Sequence, residues 1–246
     1  VGLFDIDDEG LRSISQEIGN DDCISCKLDV ADVGQWQEAV QRFSEATDGK
    51  MDVLFNNAGI AHIGRFEEIP IDVNRRIIEV NLIGVMNGVQ ICFPLLRHTQ
   101  DACIINTSSI AAELGGPTFA AYGASKFGVR GLTDSLDLEF ETHGIRVCDI
   151  MPWFIDTPLL QNSQTHGVNS NTTLKDCVTG AGLAVNRIDD VVGAVWAAAH
   201  GKKVHNLVGL SAKILAPLNR HFPRLSKVGK RQLLGKLAAQ LGLSGY

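Results

Sequence analysis

Cysteine is scarce in this chain, with six in 246 residues: Cys23, Cys26, Cys92, Cys103, Cys148 and Cys177. That density excludes a disulfide-built scaffold. Cys103 and Cys148 lie in apolar runs, where cysteine acts as a small buried hydrophobe. Cys23-Ile-Ser-Cys26 has redox or half-metal spacing, but no second such pair or histidine pair completes a zinc site. The histidines show no ligand spacing either, so no metal is expected. No run of about 18 apolar residues occurs, which speaks against a membrane-spanning helix. An excess of cationic residues is missing too. There are 22 Lys and Arg against 28 Asp and Glu, and broad nucleic-acid binding is not expected of such a chain. The first residues, Val1-Gly2-Leu3-Phe4-Asp5, show no initiator Met and no secretory leader and read like the middle of a strand. The expected compartment is the cytosol.

What is present is an ordinary globular composition, 45% apolar, arranged as alternating strand and helix. Strands are expected at 2–6, 23–28, 51–55, 102–106, 145–150 and 204–208. Helices are expected at 8–18, 33–46, 71–98, 119–142 and 188–200. Continuous apolar strands between amphipathic helices imply an α/β fold, a three-layer, doubly wound parallel sheet of Rossmann type covered on both faces. Ligands of such sheets sit beyond the carboxyl ends of the strands. Residues 152–185 are polar and weakly periodic, long enough for a binding lid. The charge is uneven: residues 211–246 hold seven Lys and Arg and no acid, while the first 210 are strongly acidic. The expected division is a catalytic, dinucleotide-binding domain over 1–210 and a basic helical extension over 211–246.

Chemistry concentrates at Ser109, Tyr122 and Lys126. Tyr122 and Lys126 are four residues apart on an expected helix, so phenol and ammonium share a face. A tyrosine of pKa about 10 is a poor acid–base group at neutral pH. A nearby cation is expected to lower that pKa and suit the phenol to proton exchange with an alcohol or ketone. Ser109 follows an expected strand and could hold the substrate oxygen beside Tyr122. Asn56-Asn57-Ala58-Gly59 also follows a strand, where small residues let backbone approach a ligand. Asn81 sits mid-helix, unfavourable unless its side chain has a task. Asp5 and Asp29-Val30 end the first two strands.

Together these motifs, in this order, resemble the short-chain dehydrogenase/reductase family over roughly residues 1–210. The thirteen-residue step from Ser109 to Tyr122 and the Pro152…Thr157 stretch add to the likeness. The resemblance implies hydride transfer between a nicotinamide cofactor and a secondary alcohol or ketone. On that footing Tyr122 is the general acid/base, Ser109 orients the substrate oxygen, and Lys126 lowers the Tyr122 pKa and holds the nicotinamide ribose. Asn81 secures a water in a proton relay. Asn56, Ala58 and Gly59 line the adenine-ribose side, Asp29 meets the adenine amino group beside Val30, and Ile155 and Thr157 contact the carboxamide. A homodimer or homotetramer is also implied, with the Tyr122 helix among the contact surfaces.

Asp5 suits the adenosine ribose hydroxyls and repels a 2′-phosphate, which favours NAD over NADP. An NADP-dependent carbonyl reductase and a non-catalytic dinucleotide-binding or scaffold relative are the alternatives. Two departures from the family pattern stand out. No G-x-G-x-x-G phosphate loop occurs, so the first β-α unit is expected to be lacking, with roughly 25–35 further residues needed to supply strand, loop and helix. Trp153 stands where the family usually has glycine; with Phe119 and Phe154 it could wall an apolar pocket or simply be core. The basic tail has three readings: an amphipathic helix packing on its own or a neighbouring subunit (Leu233, Leu234, Leu237 and Leu241 recur at helical spacing), a cover for the substrate cleft, or a contact with an anionic membrane surface.

Overall fold

The structure is a computed structural model and describes residues 1–166 and 173–240; Leu241 and part of the 152–185 lid therefore lie outside the described residues, as do the side chains of Leu233 and Leu234. The chain opens with β1 (Gly2–Asp5), α1 (Asp8–Ile18) and β2 (Ile24–Lys27). Asp7 caps α1, its carboxylate accepting from the amides of Glu9 and Gly10, and Asp32 does the same for α2 (Val33–Ala46). The main sheet follows: β3 (Val53–Asn56), β5 (Cys103–Thr107), β6 (Arg146–Pro152) and β8 (His205–Val208), all parallel and in that spatial order. β1 and β2 form their own parallel pair. The helices between are α3 (Ile71–Ile78), α4 (Gly84–Arg97), α5 (Ala111–Leu114), α6 (Ala120–Glu141) and α9 (Ile188–His200).

The apolar residues divide the layers. Trp36 and Val40 of α2, Val89 and Leu96 of α4, and Leu136 of α6 pack with Leu54, Ile104 and Val147 on one sheet face. Ala198 of α9 meets Ile105, Cys148, Ile150 and Val208 on the other. Fully buried apolar strand residues on both faces are what a parallel sheet between helices requires. All six cysteines are free thiols.

Three features depart from the expected pattern. The expected helix over 71–98 is interrupted by a π-helical turn, Glu79–Ile83, between α3 and α4. Gly84, at its end, lies so close to the segment after β2 that a Cβ there would stand 2.6 Å from Val30 Cγ2, which explains the glycine. The joined segment Ile71–Arg97 is also long and apolar enough to cross a membrane by length and composition, contrary to the sequence expectation. Its apolarity is accounted for by its place in the core layer, where Ile77, Val85, Val89, Cys92 and Leu96 are buried.

The described part of the 152–185 segment holds α7 (Pro158–Asn162), β7 (Gln164–His166) and α8 (Leu174–Gly180). β7 pairs in parallel with β4 (His62–Gly64), and the rings of His62 and His166 stack with Nδ1 and Nε2 3.1 Å apart. The chain then closes with α10 (Leu210–His221) and α11 (Pro223–Gln240). Finally, no backbone ladder joins β1 to β3 among the described residues. Val53 and Phe55 of β3 and Ile188, Val192 and Trp196 of α9 are instead exposed along the opening that separates the two sheets.

Candidate active site

Ser109 lies two residues beyond β5, at the carboxyl edge of the sheet, and Tyr122 and Lys126 project from the first turns of α6. The Ser109 hydroxyl lies near enough to the Tyr122 phenol to lower its pKa. Lys126 is almost wholly buried, donates to the Thr107 carbonyl at 2.7 Å, and places Nζ 5.7 Å from the centre of the Tyr122 ring. α6 can lie this deep because Gly123, Ser125 and Val129 are buried against its neighbours. The structure thus brings the three expected residues together.

The electrostatics differ from the expectation. Burial raises the Tyr122 phenol above its ordinary pKa, and the nearby Ser109 hydroxyl offsets only part of that. The same burial pushes the Lys126 ammonium down to about 8. Desolvation therefore outweighs the ammonium, which sits over the ring and is turned toward Thr107. The phenol is held protonated at neutral pH, ready to donate.

Asn81 is tied to its neighbours through its side chain. It is fully buried, its side-chain oxygen accepts from the Ile60 amide at 2.8 Å, and its amide donates to the Ile60 carbonyl at 2.9 Å and to Ser125 Oγ at 3.2 Å. The side chain spends both its donors on protein and pins the loop after β3 to α6. The task that justifies a mid-helix Asn is thus an architectural one.

A continuous cleft of about 2180 Å³ runs from β1 past Lys126 to the C-terminal helices. Asp5, Val30, Asn56, Ala58, Gly59, Tyr122, Lys126, Ile155 and Thr157 all line it. Gly59 lies beside Asn81 and Lys126, where a Cβ would stand 3.4 Å from Asn81 Oδ1 and 3.6 Å from Lys126 Nζ, ordinary contact distances. This is a wall shaped for a flat or ribose-sized group, and the residues fit a nicotinamide dinucleotide. Asp29 is the exception. Its carboxylate pairs with Arg76 at 2.6 Å and accepts from the Ala31 amide, and it does not line the cleft. Asn57 was not singled out by sequence reasoning, yet it lines the cleft and its side-chain oxygen accepts from Thr107 Oγ1. Its place in the Asn-Asn-Ala-Gly run was the available signal.

Phe119, Trp153 and Phe154 form the apolar side of the cleft. Phe119 stands edge-on to Tyr122, and Trp153 edge-on to Phe154. Trp153 is also core, packed with Leu114, Leu160, Leu174 and Ala212. It therefore stands both in the core and at the wall of the cleft. Leu215 and Leu218 of α10 and Val228 and Gln232 of α11 complete this wall, a contribution carried by no motif.

Residues 1–167 match the family model for short chain dehydrogenase. The chain belongs to the short-chain dehydrogenase/reductase family. A 3-alpha-(or 20-beta)-hydroxysteroid dehydrogenase of Mycobacterium tuberculosis is 39% identical over 159 residues, covering 65% of this chain and 60% of that protein. Oxidoreductase UcpA of Salmonella typhimurium is 34% identical over 163 residues, covering 65% and 61%. The chain thus spans about three fifths of the length of the curated relatives it matches. Among solved structures, a 3-ketoacyl-(acyl-carrier-protein) reductase from Brucella melitensis complexed with NADH superposes with a TM-score of 0.73 at 27% identity, over 85% of each chain. A short chain dehydrogenase/reductase from Burkholderia phymatum in complex with NAD gives 0.77 at 24% identity, over 91% of this chain and 85% of that one, and shows the shared fold.

Proposed function

We propose that this chain is an NAD-dependent oxidoreductase of the cytosol that interconverts a secondary alcohol and a ketone, with Tyr122 as general acid/base. The observation that carries this reading is the meeting of Ser109, Tyr122 and buried Lys126 at the wall of one cleft. A bound nicotinamide supplies the hydride acceptor or donor. Ser109 holds the substrate oxygen. The Tyr122 hydroxyl gives its proton to that oxygen during ketone reduction and recovers it during alcohol oxidation. Lys126, charged below about pH 8, stabilises the phenolate left behind.

Asp5, Val30, Asn56, Ala58, Gly59, Lys126, Ile155 and Thr157 would hold the cofactor. Asp29, paired with Arg76, would position Val30 rather than reach the ring itself. The Asp5 carboxylate at the end of β1 supports NAD over NADP, since it suits ribose hydroxyls and repels a phosphate. On this reading a phosphate-binding loop belongs to a strand and helix fitting the opening between β1 and β3. A homodimer or homotetramer through α4 and α6 accords with the exposure of Met86, Phe127 and Leu138.

Turnover of a panel of secondary alcohols with NAD, against Tyr122→Phe, tests the reading. The variant is expected to lose about 10²–10⁴-fold in kcat while still binding NAD. Retained turnover in the variant would falsify the role given to Tyr122.

A further inference from the structure

The C-terminal helices are docked on the segment that carries Ser109. Asn219 of α10 donates its side-chain amide to the Glu113 carbonyl of α5 at 2.7 Å. α5 in turn hangs from Ser109, whose hydroxyl accepts from the Ala111 amide at 3.1 Å and whose carbonyl accepts from the Ala112 amide at 2.9 Å. α11 is fixed by its own packing: Leu237 and Ala238 are buried with Leu174, Cys177 and Val178 of α8. Held in this way, the two helices present Leu215, Leu218, Val228 and Gln232 to the cleft. Leu218 and Val228 belong to none of the core clusters of the described residues, and Val228 is 58% exposed. Apolar side chains that face a cleft without packing into the core are surface a ligand gains by covering.

Charge is spread unevenly along the cleft. Lys126 apart, the acidic, basic and imidazole side chains that line it are Asp5, Asp7, Lys50, Asp52 and His200, all on or beside β1, β3 and α9. On the side of Tyr122 formed by α5, residues 152–160, α10 and α11, no described lining residue carries a charge. Glu113, the one acid of α5, is paired with Arg130 of α6 at 2.7 Å, and neither lines the cleft. The wall there is made largely of Leu114, Phe119, Trp153 and Phe154 together with the leucines of α10. A carboxylate or ammonium seated on it would shed water and meet no counter-charge, which is strongly unfavourable, whereas an apolar group seated on it is stabilised by every methylene it buries.

From these observations we propose that the substrate is an uncharged ketone or secondary alcohol whose reacting carbon lies at Tyr122 and whose far end is an apolar group, seated on the wall that Phe119 and Trp153 share with Leu218 and Val228. The C-terminal helices are then part of the substrate site, and Leu218 and Val228 are specificity-determining residues. This rests on the alcohol–ketone reading of the Tyr122 site and adds the substrate class to it.

The test uses three ketones that share one reacting ring: cyclohexanone, 4-phenylcyclohexanone, and 4-(4-oxocyclohexyl)benzoate, which adds a carboxylate to the far end of the phenyl group. Binding to the full chain is measured by titration calorimetry, and turnover with NADH in parallel. 4-Phenylcyclohexanone should bind roughly tenfold or more tightly than cyclohexanone, because its phenyl group buries apolar surface. The benzoate should bind roughly tenfold or more weakly than 4-phenylcyclohexanone. Leu218→Asn and Val228→Asn should each shrink the phenyl-to-cyclohexanone affinity ratio by roughly three- to tenfold. Because the readout is a ratio of two ligands on one sample, a general loss of folded protein does not imitate that effect. A ratio near one, a benzoate bound as tightly as the phenyl compound, a ratio unmoved by both substitutions, or no binding of 4-phenylcyclohexanone overturns the proposal whatever the turnover. The full pattern of binding preferences with no turnover of any of the three ketones overturns the catalytic reading and leaves the apolar site standing.

Discussion

The Lys126 ammonium donates to the Thr107 carbonyl at 2.7 Å, tying the first turns of α6 to the end of β5 inside a site from which water is largely excluded. That burial moves the Lys126 pKa down to about 8, so the side chain is a titrating group near physiological pH rather than a permanent cation. Ketone reduction needs a protonated Tyr122, which burial secures, and a charged Lys126 to receive the developing phenolate. The charge is present below about pH 8 and lost above it. The kcat/KM for a ketone is therefore expected to be flat below about pH 8 and to fall roughly tenfold per unit above it. Lys126→Arg, which stays charged, should remove the alkaline limb from whatever activity remains. A flat profile through the alkaline range in the unsubstituted enzyme would contradict this assignment.

Much of this was legible in the sequence. Strand and helix positions along the chain followed from apolar runs and amphipathic spacing, because a sheet buried on both faces leaves a strong pattern. Ser109, Tyr122 and Lys126 were found through spacing, since a helical turn and a strand end bring fixed offsets together. What was not legible depends on distant packing. β4 and β7 are three residues each and pair across a separation of about a hundred positions, so neither shows a period. The Asn81 contacts with Ile60 and Ser125, and the Asp29–Arg76 pair, need tertiary coordinates to see. The raised pKa of Tyr122 was also hidden, because the spacing displays the cation but not the burial that opposes it.

Asp149 is fully buried on β6 and faces His205 of β8, whose Nδ1 lies 3.1 Å away and whose Nε2 lies 2.8 Å from Asp134. The Asp149 carboxylate raises the His205 pKa above its ordinary value. Burial meanwhile raises the pKa of Asp149 itself, more than His205 lowers it. A histidine with a raised folded pKa contributes its full stability below about 6.5 and loses it as pH rises through the folded value. Removing the imidazole strands a buried carboxylate, so His205→Ala should cost about 3 kcal/mol near pH 6 and distinctly less near pH 9. Urea unfolding at the two pH values measures this. An equal cost at both would remove His205⁺ as the cause.

Trp153 is 5% exposed, and its indole N–H has no hydrogen-bond partner among the described residues. Its contribution to the fold is therefore the ring volume that fills the space among Leu114, Leu160, Leu174 and Ala212. Trp153→Phe removes an unpaired donor and keeps most of the apolar ring, so it should cost no more than about 1.5 kcal/mol. Trp153→Ala opens a cavity and should cost about 3–5 kcal/mol. Thermal or urea unfolding of the two variants separates these. A Phe variant as damaged as the Ala variant would show that the N–H makes an important bond.

On α6, Phe127 and Leu138 turn 47% and 72% of their surface to solvent on a helix whose other face holds Tyr122 and Lys126. In the proposed homodimer or homotetramer these exposed apolar groups would form part of the contact between subunits. A two-fold contact would place each group against its counterpart, so a single charge substitution acts twice. Phe127→Glu and Leu138→Glu together should convert the assembly to monomer in light scattering coupled to size exclusion. Because Phe127 follows Lys126 directly in α6, the same change should lower kcat along with the assembly. A double variant that keeps its oligomeric mass would exclude this face as the contact.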